Sequence, residues 1–170
     1  MRPAGPGDDA FLRSLDAAVR AYELGPGLDP DLLADVLALQ YRAREAAWSR
    51  DAQARDDLVV LWDEAPSGRL VLDRTAGGIR VVDIAVLPDR QGRGIGTAAM
   101  GEVIEEADLA GLPVSLHVVV GSRAVALYER LGFRRAGSGE THLFMERPST
   151  HPAGAQRGSH GPTRGGVRDG

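Results

Sequence analysis

The sequence predicts an α/β fold, with a mixed, mostly antiparallel central sheet and helices on both faces. Three observations carry that expectation. Apolar residues recur at helical spacing up to about residue 48, then at strand spacing from residue 58. Three strand-like runs follow one another through short Gly- and Pro-containing turns, which reads as an antiparallel meander over 58–87. The last of them, 79–87, leads through a helix to another strand at 114–120, and such a crossover implies right-handed, parallel pairing.

The elements follow in chain order. Asp8 or Asp9 caps a first helix in which Phe11, Leu12, Leu15, Ala18, Val19 and Tyr22 form one stripe, and Gly25 stops it. Asp29-Pro30 opens a second helix, with an acceptor side chain at the N-cap and Pro at the first helical position. Leu32, Leu33, Val36, Leu37, Tyr41, Ala47 and Trp48 continue it. Leu58–Glu64 is a β-rich run, Ala65-Pro66-Ser67-Gly68 a turn, and Arg69–Arg74 the next strand. Thr75-Ala76-Gly77-Gly78 turns into Ile79–Leu87, which is apolar on both faces apart from Arg80 and Asp83 and therefore reads as a central strand. A helix is expected over Thr97–Ala110, a strand over Val114–Val120 and a helix over Ser122–Leu131. Phe133–Ala136 and Thr141–Glu146 make a closing hairpin. From Pro148 the sequence is Pro, Gly, Ser, Arg and His without periodicity, so 1–147 is read as one domain and 148–170 as a disordered tail.

Composition narrows the function classes. The chain has 170 residues and is 43% hydrophobic, which suits a single domain with a real core. A net charge of −4 argues against nucleic acid as the main partner, because phosphate binding needs a basic field. No cysteine is present, so disulfides, thiolate nucleophiles and Cys-ligated metals are excluded. Of the 4 His, His151 and His160 fall in the tail and read as solvated; no metal is expected. No run reaches the length of a membrane span and the N-terminus lacks the apolar core of a signal peptide, so a cytoplasmic protein is expected.

The most informative stretch is Gln91-Gly92-Arg93-Gly94-Ile95-Gly96, which joins a buried strand to a helix start. Glycines there let successive backbone N–H groups converge on an anion, and the helix start adds partial positive charge. Arg90 and Arg93 supplement it, and Thr97 offers a hydroxyl. The turn suits a phosphate or pyrophosphate; a plain glycine-rich loop is the structural alternative. A Walker loop needs Lys, which the chain lacks entirely, and a dinucleotide fingerprint needs a third glycine where Thr97 stands.

Val86-Leu87-Pro88 followed by Gln91–Gly96 resembles motif A of the GCN5-related N-acetyltransferase (GNAT) superfamily. Ala124-Val125-Ala126-Leu127-Tyr128-Glu129-Arg130-Leu131-Gly132-Phe133 is similar to its motif B, in the family's order and at a suitable separation. The likeness runs from about residue 2 to 147. It implies acetyl-CoA as co-substrate, with backbone groups of Ile84, Ala85 and Val86 pairing with the pantetheine arm and amides from Gln91, Gly92, Arg93, Gly94, Ile95, Gly96 and Thr97 holding the pyrophosphate. It also implies that strand 114–120 splays from 79–87, leaving a cleft for the thioester, and that an amide of 84–86 faces the developing oxyanion. Tyr128 matches the family's tyrosine, whose phenol protonates or hydrogen-bonds the departing sulfur; packing its ring is the alternative. Two departures stand out. Gly121-Ser122 occupy the place where the family often has Asn, and Ser122 either replaces part of that contact or caps the helix. Only Arg2-Pro3-Ala4 represent the first strand, which is either very short or begins upstream.

An amine nucleophile must lose a proton. Asp83 and His117 are the candidate bases, one on each strand of the crossover; a buried polar pair that locks strand register is the alternative. Glu102, Glu105, Glu106 and Asp108 read as a solvated helix face, while Tyr41 and Trp48 either line the acceptor side or pack in the core. The implied reaction is direct acetyl transfer to a small-molecule or peptide amine, since no Cys is available for an acyl-enzyme. A non-catalytic acyl-CoA-binding regulatory module is the second reading, and another kind of nucleotide-binding domain the third. The acceptor has no diagnostic pattern, and a homodimer is compatible with the sequence.

Overall fold

The computed structural model describes residues 1–24 and 55–150 and, between them, Leu39 and Ala43. The strands are β1 (Arg2–Pro3), β2 (Arg55–Trp62), β3 (Ala65–Thr75), β4 (Gly78–Val86), β5 (Val114–Val119), β6 (Arg134–Ser138) and β7 (His142–Arg147). The helices are α1 (Asp9–Leu24), α2 (Ile95–Ala110) and α3 (Ala124–Arg130). The helix expected over 30–48, with Tyr41 and Trp48, lies outside the described residues except for Leu39 and Ala43, both helical. So does the tail from His151; before it, the Thr150 N–H bonds Asp108 Oδ1 at 3.0 Å. No helix among the described residues is long and apolar enough to cross a membrane.

One seven-stranded sheet runs in the order β1-β2-β3-β4-β5-β7-β6. Every neighbouring pair is antiparallel except β4 and β5, the pair the crossover predicts to be parallel. The short β1 is paired, with Arg2 opposite Val59 and Pro3 opposite Leu58. Arg2 also forks onto the Asp8 carboxylate at 2.6 and 2.7 Å, which fastens β1 to the start of α1.

Alternation along β3 assigns the two faces. Leu70 and Leu72 join the main core with Ile95, Ala99, Met100, Val103 and Ala107, the buried stripe of α2, and with Val125 and Tyr128 of α3. Val71 is equally buried but lies outside that cluster, as do Leu12 and Leu15 of α1, which packs on β3 and β4 from the other side.

Two local features differ from expectation. The first hairpin does not turn at Ala65-Pro66-Ser67-Gly68, which are strand residues; Trp62 pairs with Ala65 and the turn is Asp63-Glu64. Both have positive φ, 50 and 64°, the geometry whose twist matches the flanking strands. Pro66 is accommodated where the β2–β3 register shifts between Val60 and Leu61. The second is a bulge in β4. Val71 pairs with Asp83 and Leu72 with Val81, so Val82 is an extra residue. Without it, strict alternation would send Asp83 to the same face as Ile79 and Val81, into the α2 core. With it, Ile84 and Val86 join that core and Asp83 turns toward α1.

Candidate functional site

Pairing between β4 and β5 covers Ile79–Val81 against Val114–Leu116 and then ends, although β4 continues to Val86 and β5 to Val119. The strands splay from that point. Backbone parity tells which β4 groups the split exposes. The Leu87 N–H bonds Ser67 O at 3.0 Å, on the β3 side. In an antiparallel ladder successive residues alternate sides, so Ala85 also faces β3, while Ile84 and Val86 direct their N–H and C=O toward the split. Of the three residues expected to offer backbone groups there, Ile84 and Val86 do and Ala85 does not.

A cleft of about 540 Å³ opens along this edge. Ile84 and Val86 line one wall, and Gln91, Gly92, Gly94, Ile95, Gly96 and Thr97 close its end. The chain makes a single 3-10 turn over Pro88–Arg90 and then passes through Gly92 and Gly94 at φ 75 and 83°, backbone that side chains disfavour. Gly94 is the N-cap of α2 and provides no side-chain cap, so Ile95, Gly96 and Thr97 start the helix with N–H groups that have no intrahelical acceptor. The first helical bond is Ala98 N–H to Gly94 O at 2.8 Å. A Cβ on Gly92 or Gly94 would meet no protein atom within 4 Å. Gln91 Nε2 donates to Val86 O at 3.1 Å and holds the turn against β4. The helix thus begins two residues before the expected Thr97, because the last glycine of the turn is already helical.

Arg90 lines the cleft and is steadied by the fully buried Ser67, whose Oγ it reaches at 2.5 Å. Arg93 is turned away, donating to Asp89 O at 3.4 Å. Sequence reasoning missed Arg123 and Arg130, which line the opposite wall from α3. Their signal was the spacing Arg123–Leu127–Arg130, one helical face. No carboxylate lines this cleft among the described residues.

A second cleft, of about 320 Å³, lies on the α1 side of the split. Asp83, Ala85 and His117 line it together with Asp16, Arg20 and His142, which the sequence did not single out. Asp83 and His117 share this cleft but not a strand pairing, since β4 and β5 have separated by then; His117 pairs across to Phe144. Its ring lies 5.1 Å from that of Phe144, and it is exposed, so it is no member of a buried register-locking pair.

Ile84, Ser122 and Tyr128 line both clefts, so the two meet there. Tyr128 is 6% exposed, with its ring edge-on to Phe133 at 5.8 Å. Burial pushes its phenol up to about 12, and the Asp83 carboxylate adds to the rise. Ser122 Oγ accepts the Ala124 N–H at 3.2 Å just ahead of α3, whose N-cap residue is Arg123, and its O–H still has a proton to donate.

The acidic face of α2 is engaged elsewhere. Arg74 forks onto Glu106 at 2.7 and 2.8 Å, and Arg147 onto Asp108 at 2.8 and 2.9 Å. Among the described residues no three His, Asp or Glu side chains group closely enough to hold a metal ion.

A sequence model of the Acetyltransferase (GNAT) family matches residues 28–133. No curated protein sequence matches the chain. Among solved structures, the PaiA N-acetyltransferase of Thermoplasma acidophilum in complex with coenzyme A is similar over 86% of this chain and 96% of its own, with TM-score 0.68 and 16% identity. The ribosomal-protein-S18-alanine N-acetyltransferase of Escherichia coli covers 91% of this chain and 95% of its own, at TM-score 0.66 and 19% identity. An acetyltransferase of Thermus thermophilus covers 86% and 94%, at 0.64 and 23%. At such identities the likeness is one of fold.

Proposed function

The chain belongs to the acetyltransferase (GNAT) family, and on that premise we propose that it moves the acetyl group of acetyl-CoA to a primary amine by direct attack in a ternary complex. The observation that carries this reading is the meeting of two clefts, one closed by the unfilled N–H groups at the start of α2 and one lined by two carboxylates and two imidazoles, at Ile84, Ser122 and Tyr128. A donor held along one cleft and an amine entering by the other would meet without a covalent relay.

The residues present fit coenzyme A. The free edge of β4 offers Ile84 and Val86 to an extended amide-bearing arm as an added strand would use them. The unfilled N–H groups at the start of α2 suit a pyrophosphate, and the open space beside Gly92 and Gly94 leaves room for it. The N–H of Ile84 or Val86 would stabilise the oxyanion that develops on the thioester carbonyl as the C–N bond forms.

Asp83 or His117 would take the proton of the acceptor ammonium, directly or through water. Tyr128 would donate toward the sulfur as the C–S bond breaks. With burial pushing its phenol up to about 12, Tyr128 keeps its proton at neutral pH and would be available as a hydrogen-bond donor to the sulfur. The two events are coupled. Once Asp83 is protonated, the negative charge that raises the Tyr128 phenol is gone and the phenol becomes a better donor.

The test is CoA release, followed with a thiol reagent across a panel of primary amines, for wild type and Tyr128→Phe. Loss of a hydrogen bond to a charged sulfur should lower kcat by about 10- to 100-fold with little change in KM for acetyl-CoA. Tight CoA binding with no amine-dependent release in the wild type would instead point to a non-catalytic acyl-CoA-binding module.

A further inference from the structure

We propose that Asp16 and Arg20 of α1 select an acceptor amine whose far end is uncharged but offers both a hydrogen-bond donor and an acceptor, as a carboxamide or a peptide amide does. The inference rests on the transferase reading above and names the substrate class of its second cleft. Asp16, Val19 and Arg20 line that cleft and not the first, so α1 is a wall of the acceptor side alone. Offsets of three and four residues put all three on one helical face. The reacting amine belongs where the clefts meet, at Ile84, Ser122 and Tyr128. What α1 meets is therefore the rest of the acceptor.

Arg20 Nε stands 3.9 Å from Asp16 Oδ1, whereas Arg2, Arg69, Arg135 and Arg147 approach their carboxylates to between 2.6 and 3.1 Å. The two are neighbours on the wall rather than a closed fork, and the cleft touches both. Opposite charges side by side discriminate against a ligand group with net charge, because one attracts it and the other repels it at a similar distance. A carboxylate gains Arg20 but meets Asp16. A second ammonium gains Asp16 but meets Arg20. A bare alkyl end covers both groups without offering either a partner, which costs desolvation. An amide meets neither objection: its C=O accepts from the guanidinium and its N–H donates to the carboxylate, both charge-assisted. An amino acid with a free carboxylate and a diamine are thus disfavoured, while an amino amide or a peptide with a free N-terminus fits.

Amine-dependent CoA release, measured with ω-amino amides, ω-amino acids, diamines, amino alcohols and alkylamines of matched chain length, tests this. In wild type, kcat/KM for the amide should exceed that for the acid and the diamine by roughly tenfold. Amino alcohols ranking above the amides would overturn the assignment to an amide. Arg20→Gln removes the cation and should move the preference toward the diamine; Asp16→Asn removes the anion and should move it toward the amino acid. Opposite shifts from two substitutions one helical turn apart are not what a general loosening of α1 would give. Both changes are close in size to the native side chain, so each variant should melt near wild type. If either does not fold, the wild-type ranking still decides. A wild-type preference for the acid or the diamine, or equal rates whatever the far group, would overturn the inference and leave the transferase reading standing. Variants that keep the wild-type ranking would overturn the assignment to this pair. No release with any amine, in a protein that binds CoA, would sink the inference together with the reading beneath it.

Discussion

Gly68 is where the strand spacing that builds the cleft is most exposed to test. It sits in β3 opposite Val86. A Cβ added there would run into the Ala85 carbonyl oxygen well inside contact distance and stand 3.5 Å from Val60 Cβ. The obstacle is backbone, so no side-chain rotation relieves it. To restore an ordinary C···O contact of about 3.3 Å, β4 must retreat by on the order of 1 Å from a neighbour normally about 4.8 Å away. Overpacking of this kind costs about 1–3 kcal/mol. For a chain of 170 residues that is a fall in Tm of roughly 2–12 °C. The same displacement moves Ile84 and Val86, so CoA affinity should fall as well. Thermal melts by circular dichroism and titration with CoA give both numbers for Gly68→Ala. A Tm within a degree of wild type together with unchanged CoA affinity would refute the close β3–β4 approach and with it the placement of the β4 edge.

Gly94→Ala should behave differently, because its Cβ meets no protein atom and only the φ of 83° opposes it. A cost of about 1–2 kcal/mol, or roughly 2–8 °C, is expected, with CoA binding weakened at least tenfold; unaltered binding would count against the anion cradle. The hairpin turn offers the reverse change. Replacing Asp63-Glu64 by Asn-Gly suits the two positive φ values and should raise Tm by roughly 2–4 °C, and a loss of stability would mean the turn is not of this type. Arg2, and then the Gly5 N–H, hold the Asp8 carboxyl down to about 2 from 3.8. Its contribution is therefore present above pH 3.8 and lost as pH falls through about 2. In Asp8→Asn, the decline of Tm across that window should be shallower, and parallel curves would dismiss the fork as a stabilising contact.

Much of this was legible because it is local chemistry. The period change between residues 48 and 58, the crossover from 79–87 to 114–120 and the glycine-rich join to α2 each depend on neighbours in sequence. The shape of the turn at Gly92–Thr97 was readable for the same reason: positive φ values and a helix start need no distant partner to be foreseen. The turn was misplaced because Pro66 and Gly68 carry the usual turn signature, yet a register shift lets Pro66 stay in the strand and close packing demands Gly68 there. Asp63 and Glu64 announce a type I′ turn to no propensity rule.

What tertiary structure alone decided is how the site's groups face one another. Parity against Ser67 turns Ile84 and Val86, and not Ala85, toward the split. The extra residue Val82 takes Asp83 out of the core and sets it in the second cleft. Folding back of α3 places Arg123 and Arg130 against the first cleft and Tyr128 against both. Sequence determines which residues carry chemistry and on which element each rides. Which side of a strand a group takes depends on ladder register and bulges, which long-range pairing sets, and a one-residue slip reverses it.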